Sequence, residues 1–200
     1  METTATENKV RFNLKNVHWA LLKSATDGTL TYDAPHEWPG AVSMKCDPQG
    51  DATPFYADGM IYYQTLSNTG YSIDLESALV PEDFLHDVLK QTQDAKKVDI
   101  ENSDDQPAHF CLMFECEGDQ KAIRHIFYDC VPGGRPKLEY KTKEDKTEVQ
   151  TETLSVTSEP IYCKALDKNI VKGKTSAETD ATAYSGWYTT PYVPTATAGA

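Results

Sequence analysis

Few residues in this chain combine the types and spacings that hold metals, phosphates or reacting groups. Gly173-Lys174-Thr175 matches the end of a phosphate-binding loop, yet the first glycine of that motif falls on Lys168. A lysine there prevents the nest of backbone amides that cradles phosphate. His109, Cys111 and Cys116 have the chemistry of metal ligands. Strand alternation puts His109 and Cys111 on one face and Cys116 on the other, so the three do not converge. The acidic cluster Asp99, Glu101, Asp104 and Asp105 lacks the glycine and terminal glutamate of the common calcium loop and reads as a solvated turn. Glu115 and Glu117 would serve a glycosidase only inside a cleft, and on a strand edge they are surface charge. A cysteine nucleophile needs a histidine that meets it only in space, and no local pattern marks one among the five histidines. No catalytic, cofactor-binding or metal-binding residue is expected, and no enzymatic activity.

The elements that position these residues are mostly strands. Val10, Phe12 and Leu14, then Val17, Trp19 and Leu21, alternate with the two-residue period of a strand, and the phase change at Lys15-Asn16 predicts a bulge or bend. Asp27-Gly28 reads as a turn and residues 35–40 as a rigid loop. Strands at 41–47 and 59–66 leave an exposed loop of about a dozen residues between them, long against the usual 2–6. That loop carries Phe55 and Tyr56, and Asn68-Thr69-Gly70 then turns the chain into a short strand, giving two hairpins in succession.

One helix is predicted over 81–91, with Pro81 in its first turn and Glu82 and Asp83 favouring its positive end. Phe84, Leu85, Val88 and Leu89 form the apolar face that covers a sheet, leaving His86 and Asp87 toward water. Strands at 108–117 and 121–131 are the strongest, joined through Glu117-Gly118-Asp119-Gln120. Phe110, Leu112 and Phe114 share a face, and form the core with either Ile123, Phe127 and Val131 or Ile126 and Tyr128. Residues 141–158 are charged and threonine-rich at both alternating positions until Leu154 and Val156, which suits a solvated edge or the wall of a water-filled passage. Residues 175–183 read as a linker, and Trp187, Tyr188, Tyr192 and Val193 as a terminal segment that docks. The aromatics outside this core, Trp38, Phe55, Tyr56, Tyr62, Tyr63 and Trp187, fit a protein interface and a second small core equally well.

Composition excludes some functions. At 200 residues the chain supports one substantial core, and a mean hydropathy of −0.56 leaves part of it solvated or ordered by neighbours. A net charge of −12 repels phosphate, so the chain is not expected to bind DNA on its own. No secretory signal or membrane span is evident, and synthesis in the cytoplasm is expected. Five scattered cysteines, an odd number, read as reduced thiols.

The run 9–18 is followed by Pro39-Gly40-Ala41-Val42-Ser43, Phe55-Tyr56-Ala57-Asp58, Asn68-Thr69-Gly70-Tyr71 and Pro81-Glu82-Asp83-Phe84-Leu85. This order of motifs resembles the major tail protein family of long-tailed, non-contractile phages. It continues through 114–119, Arg135-Pro136 and Thr151-Glu152-Thr153-Leu154, covering roughly 9–165. It implies a mainly β fold, a β-sandwich or half-barrel with one flanking helix, closing into hexameric rings that stack into a DNA-conducting tail tube. A flexible segment at 1–8, a tail-tube domain at 9–166 and a linker with a C-terminal arm at 167–200 are expected. Within it, Asp47, Asp51, Phe55, Tyr56 and Asp58 form an inter-ring loop, and Glu144, Glu148 and Glu152 face the lumen. The implied partners are further copies of the chain and tape measure, tail terminator and baseplate proteins. DNA passes without specific binding, no cofactor or membrane takes part, and the protein belongs to a virion tail assembled in the host cytoplasm. The rival readings are a stand-alone β-sandwich adhesion module and, third, a cysteine- or carboxylate-based hydrolase.

Overall fold

A computed structural model of the chain describes residues 7–142 and 149–196. The chain opens with β1 (Arg11–Ser24), β2 (Thr31–Tyr32), β3 (His36–Glu37) and β4 (Ala41–Gln49). Next come β5 (Ala52–Ala57), β6 (Met60–Leu66), β7 (Gly70–Ser77) and the helix α1 (Glu82–Asp87). Two short strands, β8 (Thr92–Gln93) and β9 (Asp99–Ile100), lead into β10 (Phe110–Gly118) and β11 (Ile123–Pro132). The rest is β12 (Glu152–Ser158), β13 (Ile161–Cys163), β14 (Lys168–Ile170), β15 (Lys172–Lys174) and α2 (Ala181–Ser185).

The fold is mainly β and antiparallel. Its principal sheet runs β2-β1-β10-β11-β12-β7-β4, with β3 added on β1 and β15 on β11. The sheet curls until β4 approaches β1 without pairing to it, a sandwich-like half-barrel rather than a closed one. Two features of β1 supply curvature. Asn13 and Asn16 sit in the left-handed region (φ 56° and 49°), and the register with β10 shifts on passing each of them. Asparagine tolerates that conformation, and bulges increase strand twist and bend.

The pair β10–β11 is buried on both faces. Phe110, Leu112 and Phe114 point inward with Phe127, Ile73, Leu75, Leu154 and Val156. Cys111, Met113, Ile126 and Tyr128 point outward into a second cluster with Leu30, Ile161 and Trp187. Both candidate faces of β11 are therefore used. Cys111 and Cys116 lie on opposite faces, and Gly173-Lys174 belong to strand β15 instead of a phosphate loop.

The inner core is closed at one end by α1. This helix stops at Asp87, short of the expected 81–91, because the N–H groups of Val88 and Leu89 both return to the Phe84 carbonyl and Lys90 turns left-handed (φ 65°). Phe84 is fully buried, with its ring centroid 5.2 Å from Trp19, 4.7 Å from Trp38 and 5.2 Å from Phe110. Three histidine–aspartate pairs surround this region: His36–Asp83 at 2.7 Å, His86–Asp99 at 2.8 Å and His109–Asp129 at 2.6 Å.

The outer cluster is covered by residues 181–193, where a second helix, α2, stands in part of the stretch read as linker. Asp180 caps it, accepting the N–H groups of Thr182 at 2.9 Å and Ala183 at 3.1 Å. Arg124 fastens it to the sheet: its Nε donates to Glu115 at 3.1 Å, and its guanidinium lies 4.0 Å from the Tyr184 ring centroid. Glu115 is thus a buried, paired carboxylate on a central strand, not the surface charge that sequence alone implied. All five cysteines are free thiols, and Cys111, Cys130 and Cys163 are buried. Among the described residues no helix is long and apolar enough to cross a membrane.

Phe84 touches three aromatic rings and closes one end of the core. Phe84→Ala should cost about 3–5 kcal/mol, read as a lower midpoint in urea or thermal denaturation. A loss under about 1 kcal/mol would mean the core end is closed by other groups.

Candidate functional site

The region expected as an inter-ring loop is a β-ribbon. β4 and β7 pair antiparallel down to Gln49 and Gly70, and the same two strands continue outward as β5 and β6. Asp47 therefore lies within β4, Phe55 and Tyr56 within β5, Asp51 at the junction and Asp58 at the tip. Proline and glycine interrupt most strands, but Pro48 lies on β4, the edge strand of the principal sheet, and Pro54 in the two-stranded ribbon, where each strand has a free edge and a missing N–H leaves no ladder bond unmade. One long hairpin replaces the two expected in succession.

Its two ends are fixed by backbone chemistry. Asp58 (φ 51°) and Gly59 (φ 78°) are both left-handed, the conformation of a two-residue turn that matches strand twist. At the root, Gly70 (φ 119°) passes so close to β12 that a Cβ there would lie 1.9 Å from the Ser158 carbonyl oxygen. The Ser67 N–H donates to the Asp51 carbonyl at 3.0 Å and closes the base.

The ribbon is apolar on both faces. An irregularity between Phe55 and Tyr56 leaves Tyr62 as the extra residue, so the pairs Phe55–Tyr63 and Tyr56–Ile61 face opposite ways. Exposure is 60% for Phe55, 63% for Tyr56, 73% for Tyr62, 64% for Tyr63 and 79% for Leu66. Monomeric soluble proteins rarely display so many large apolar side chains together, and an isolated two-stranded ribbon has no core of its own. The aromatics of 55–63 thus belong to neither of the two cores, whereas Trp38 and Trp187 are buried in them.

The expected lumen residues fall differently. Glu144 and Glu148 lie outside the described residues. Glu152 opens β12, and its Oε2 accepts the Val80 N–H at 2.7 Å on the approach to α1. Among the described residues of 141–158, regular strand runs over Glu152–Ser158, a central strand whose Leu154 and Val156 enter the inner core.

Near the ribbon root the inner face changes from apolar to basic. His125 stacks on Phe114 with ring centroids 4.8 Å apart, and its Nδ1 is buried without a partner. Burial, with Lys172, Arg11 and Lys174 nearby, lowers its pKa to about 4. Lys172 places its Nζ 5.0 Å from the Phe127 ring centroid and 5.4 Å from that of Tyr71. Burial pushes the Lys172 ammonium below its ordinary range, and Arg11 and Lys174 add repulsion. Burial raises the thiols of Cys46 and Cys116, so neither is an activated nucleophile.

The His125 shift fixes a pH dependence. Its ordinary pKa is 6.5 and its folded value about 4, so below 6.5 the unfolded chain takes up a proton that the folded chain refuses. Stability from this group is complete above 6.5 and declines as pH falls toward 4. The melting temperature of the parent should drop more between pH 7 and pH 4.5 than that of His125→Phe. Equal drops would show that His125 is not held neutral by the fold.

No known protein family matches the chain, and no curated protein matches it. Among solved structures it is similar to the tube-terminating cap of the anti-feeding prophage, determined by cryo-EM. The TM-score is 0.48 and the identity 10%, over 88% of this chain and 99% of that one. It is also similar to a chain of the six-fold symmetrised baseplate of the anti-feeding prophage, with TM-score 0.43 and 8% identity over 89% of this chain and 99% of that one. Likeness at these levels carries no argument about what the chain does.

Proposed function

We propose that the chain is a non-enzymatic structural subunit of a phage tail tube that self-assembles into stacked hexameric rings and conducts DNA. The observation that carries this reading is the β5–β6 ribbon, whose apolar side chains on both faces are left in water by the chain's own fold. The motif order that resembles major tail proteins supplies the kind of assembly. Within it the ribbon, including Asp51, Phe55, Tyr56 and Asp58, joins one ring to the next, while 141–153 with Glu144, Glu148 and Glu152 faces the lumen. A negative wall repels phosphate along the path and leaves DNA unbound. Tape measure, tail terminator and baseplate proteins are the further partners, and the virion tail is the site of function.

Because Asp51 and Ser67 already pair, an Asn-Gly turn can replace residues 52–66 without disturbing β4 or β7. The shortened chain should melt within a few degrees of the parent, since the ribbon adds nothing to either core. It should also elute as a monomer and show no rings or tubes in negative stain at concentrations where the parent does. Tubes from the shortened chain would remove the ribbon from the assembly contact. A parent that stays monomeric at every concentration would remove the assembly reading itself.

A further inference from the structure

The two ends of the curled sheet differ in charge. At the ribbon end, Lys172 and Lys174 lie opposite Phe127 and His125 of β11, and Arg11 opens β1 opposite Gly118. Arg11, Lys172 and Lys174 are exposed as residues, the Lys172 ammonium being partly shielded by the Tyr71 and Phe127 rings, and among the described residues none of them enters an ion pair. Asp51 and Glu159 stand at the ribbon root as well, so the departure from the overall −12 is the cluster of three cations around Lys172 and not the whole end.

The opposite end holds α1 and the segment that leads into β10. Residues 82–105 carry eight acidic side chains against three lysines. Asp83 and Asp99 are tied to histidines and Glu101 to Arg135, while Glu82 and Asp104 are exposed and unpaired among the described residues. The strand β4 leads from the α1 end to the ribbon root over nine residues, which separates the two ends by about 30 Å.

We infer that these poles dock on each other: Arg11, Lys172 and Lys174 of one copy take the carboxylates around Glu82 and Asp104 of the next copy, head to tail. This rests on the self-assembly proposed above and gives it a direction. A second copy is the occupant for two reasons. Its charge is complementary, and the cationic pole adjoins the ribbon, since Lys172 lies over Tyr71, which pairs with Pro48 at the ribbon root. A contact between different surfaces of identical chains repeats instead of closing on itself as a pair. Opposite poles speed encounter and penalise the reversed stacking, in which like charges meet.

Two charge-reversed variants test the contact by sedimentation velocity at low salt. Lys172→Glu with Lys174→Glu puts carboxylates in place of the docking cations, and Glu82→Lys with Asp104→Lys puts cations in place of the docking carboxylates, which takes residues 82–105 from a net −5 to −1. Each alone should associate at least about tenfold more weakly than the parent, and an equimolar mixture of the two should recover most of the loss. The parent's own association should weaken as salt is raised. If the reversed chains melt early, Lys172→Gln with Lys174→Gln removes the charge without reversing it and should give a partial loss. Variants that associate like the parent, or a mixture that does not recover, overturn the polar contact and leave ribbon-driven assembly standing. A parent that is monomeric at low salt overturns both. Binding of a labelled duplex oligonucleotide by the parent, lost in the double lysine variant, would reassign the cationic pole to phosphate and also overturn it.

Discussion

Every other part of this molecule answers to one constraint, the burial of β10 and β11 on both faces. A strand buried on one face needs a single covering layer; these two need a layer on each side. The inner layer comes from the sheet curling over itself until β4 and β7 face β10, with α1 sealing one end. The outer layer comes from β13, β14 and the segment around Trp187, held by the Arg124–Glu115 pair between Tyr184 and Tyr188. Removing either layer exposes half of the side chains of the same two strands, so the two layers stand or fall together.

Much of this was legible from alternation. The inward set Phe110, Leu112 and Phe114, the bulge near Asn16, the turn at Asp27-Gly28 and the helix N-terminus at Pro81 all follow from period and turn chemistry. Sequence left open which face of β11 is buried because both are. Helix length is not legible, since Val88 and Leu89 are apolar at helical spacing but leave the helix in a turn that ends in left-handed Lys90, which residue type does not announce. The ribbon reads as a loop because proline and glycine normally interrupt sheets, and a two-stranded ribbon with free edges tolerates them. Glu115 looked like surface charge because its partner, Arg124, comes from the neighbouring strand, and no local pattern links the two.

The ribbon and the half-barrel also divide labour. The sheet buries most of its apolar residues in two cores, leaving Phe12 and Val42 exposed, while β5 and β6 keep theirs in water although their backbones pair along the whole ribbon. Backbone order without side-chain burial is a poor bargain for a lone chain. It becomes sensible when the missing layer is another molecule, because a pre-formed ribbon has already met the entropy cost that a floppy loop would meet on docking.

The pairing of β1 with β10 has a consequence for how the molecule is made. Arg11 and Gly118 are partners in register although about 100 residues separate them, so the sheet's central seam forms only after a large chain closure. Such long-range antiparallel topologies fold slowly. The tyrosines and tryptophan that cover the outer cluster emerge from the ribosome later still, after β10 and β11 are complete. For that interval the outer face of β11 is bare while the β5–β6 ribbon, needing no distant partner, has already been synthesised. A nascent chain would then expose the apolar side chains of 52–66 before its cores are complete, the kind of transient exposure that favours aggregation.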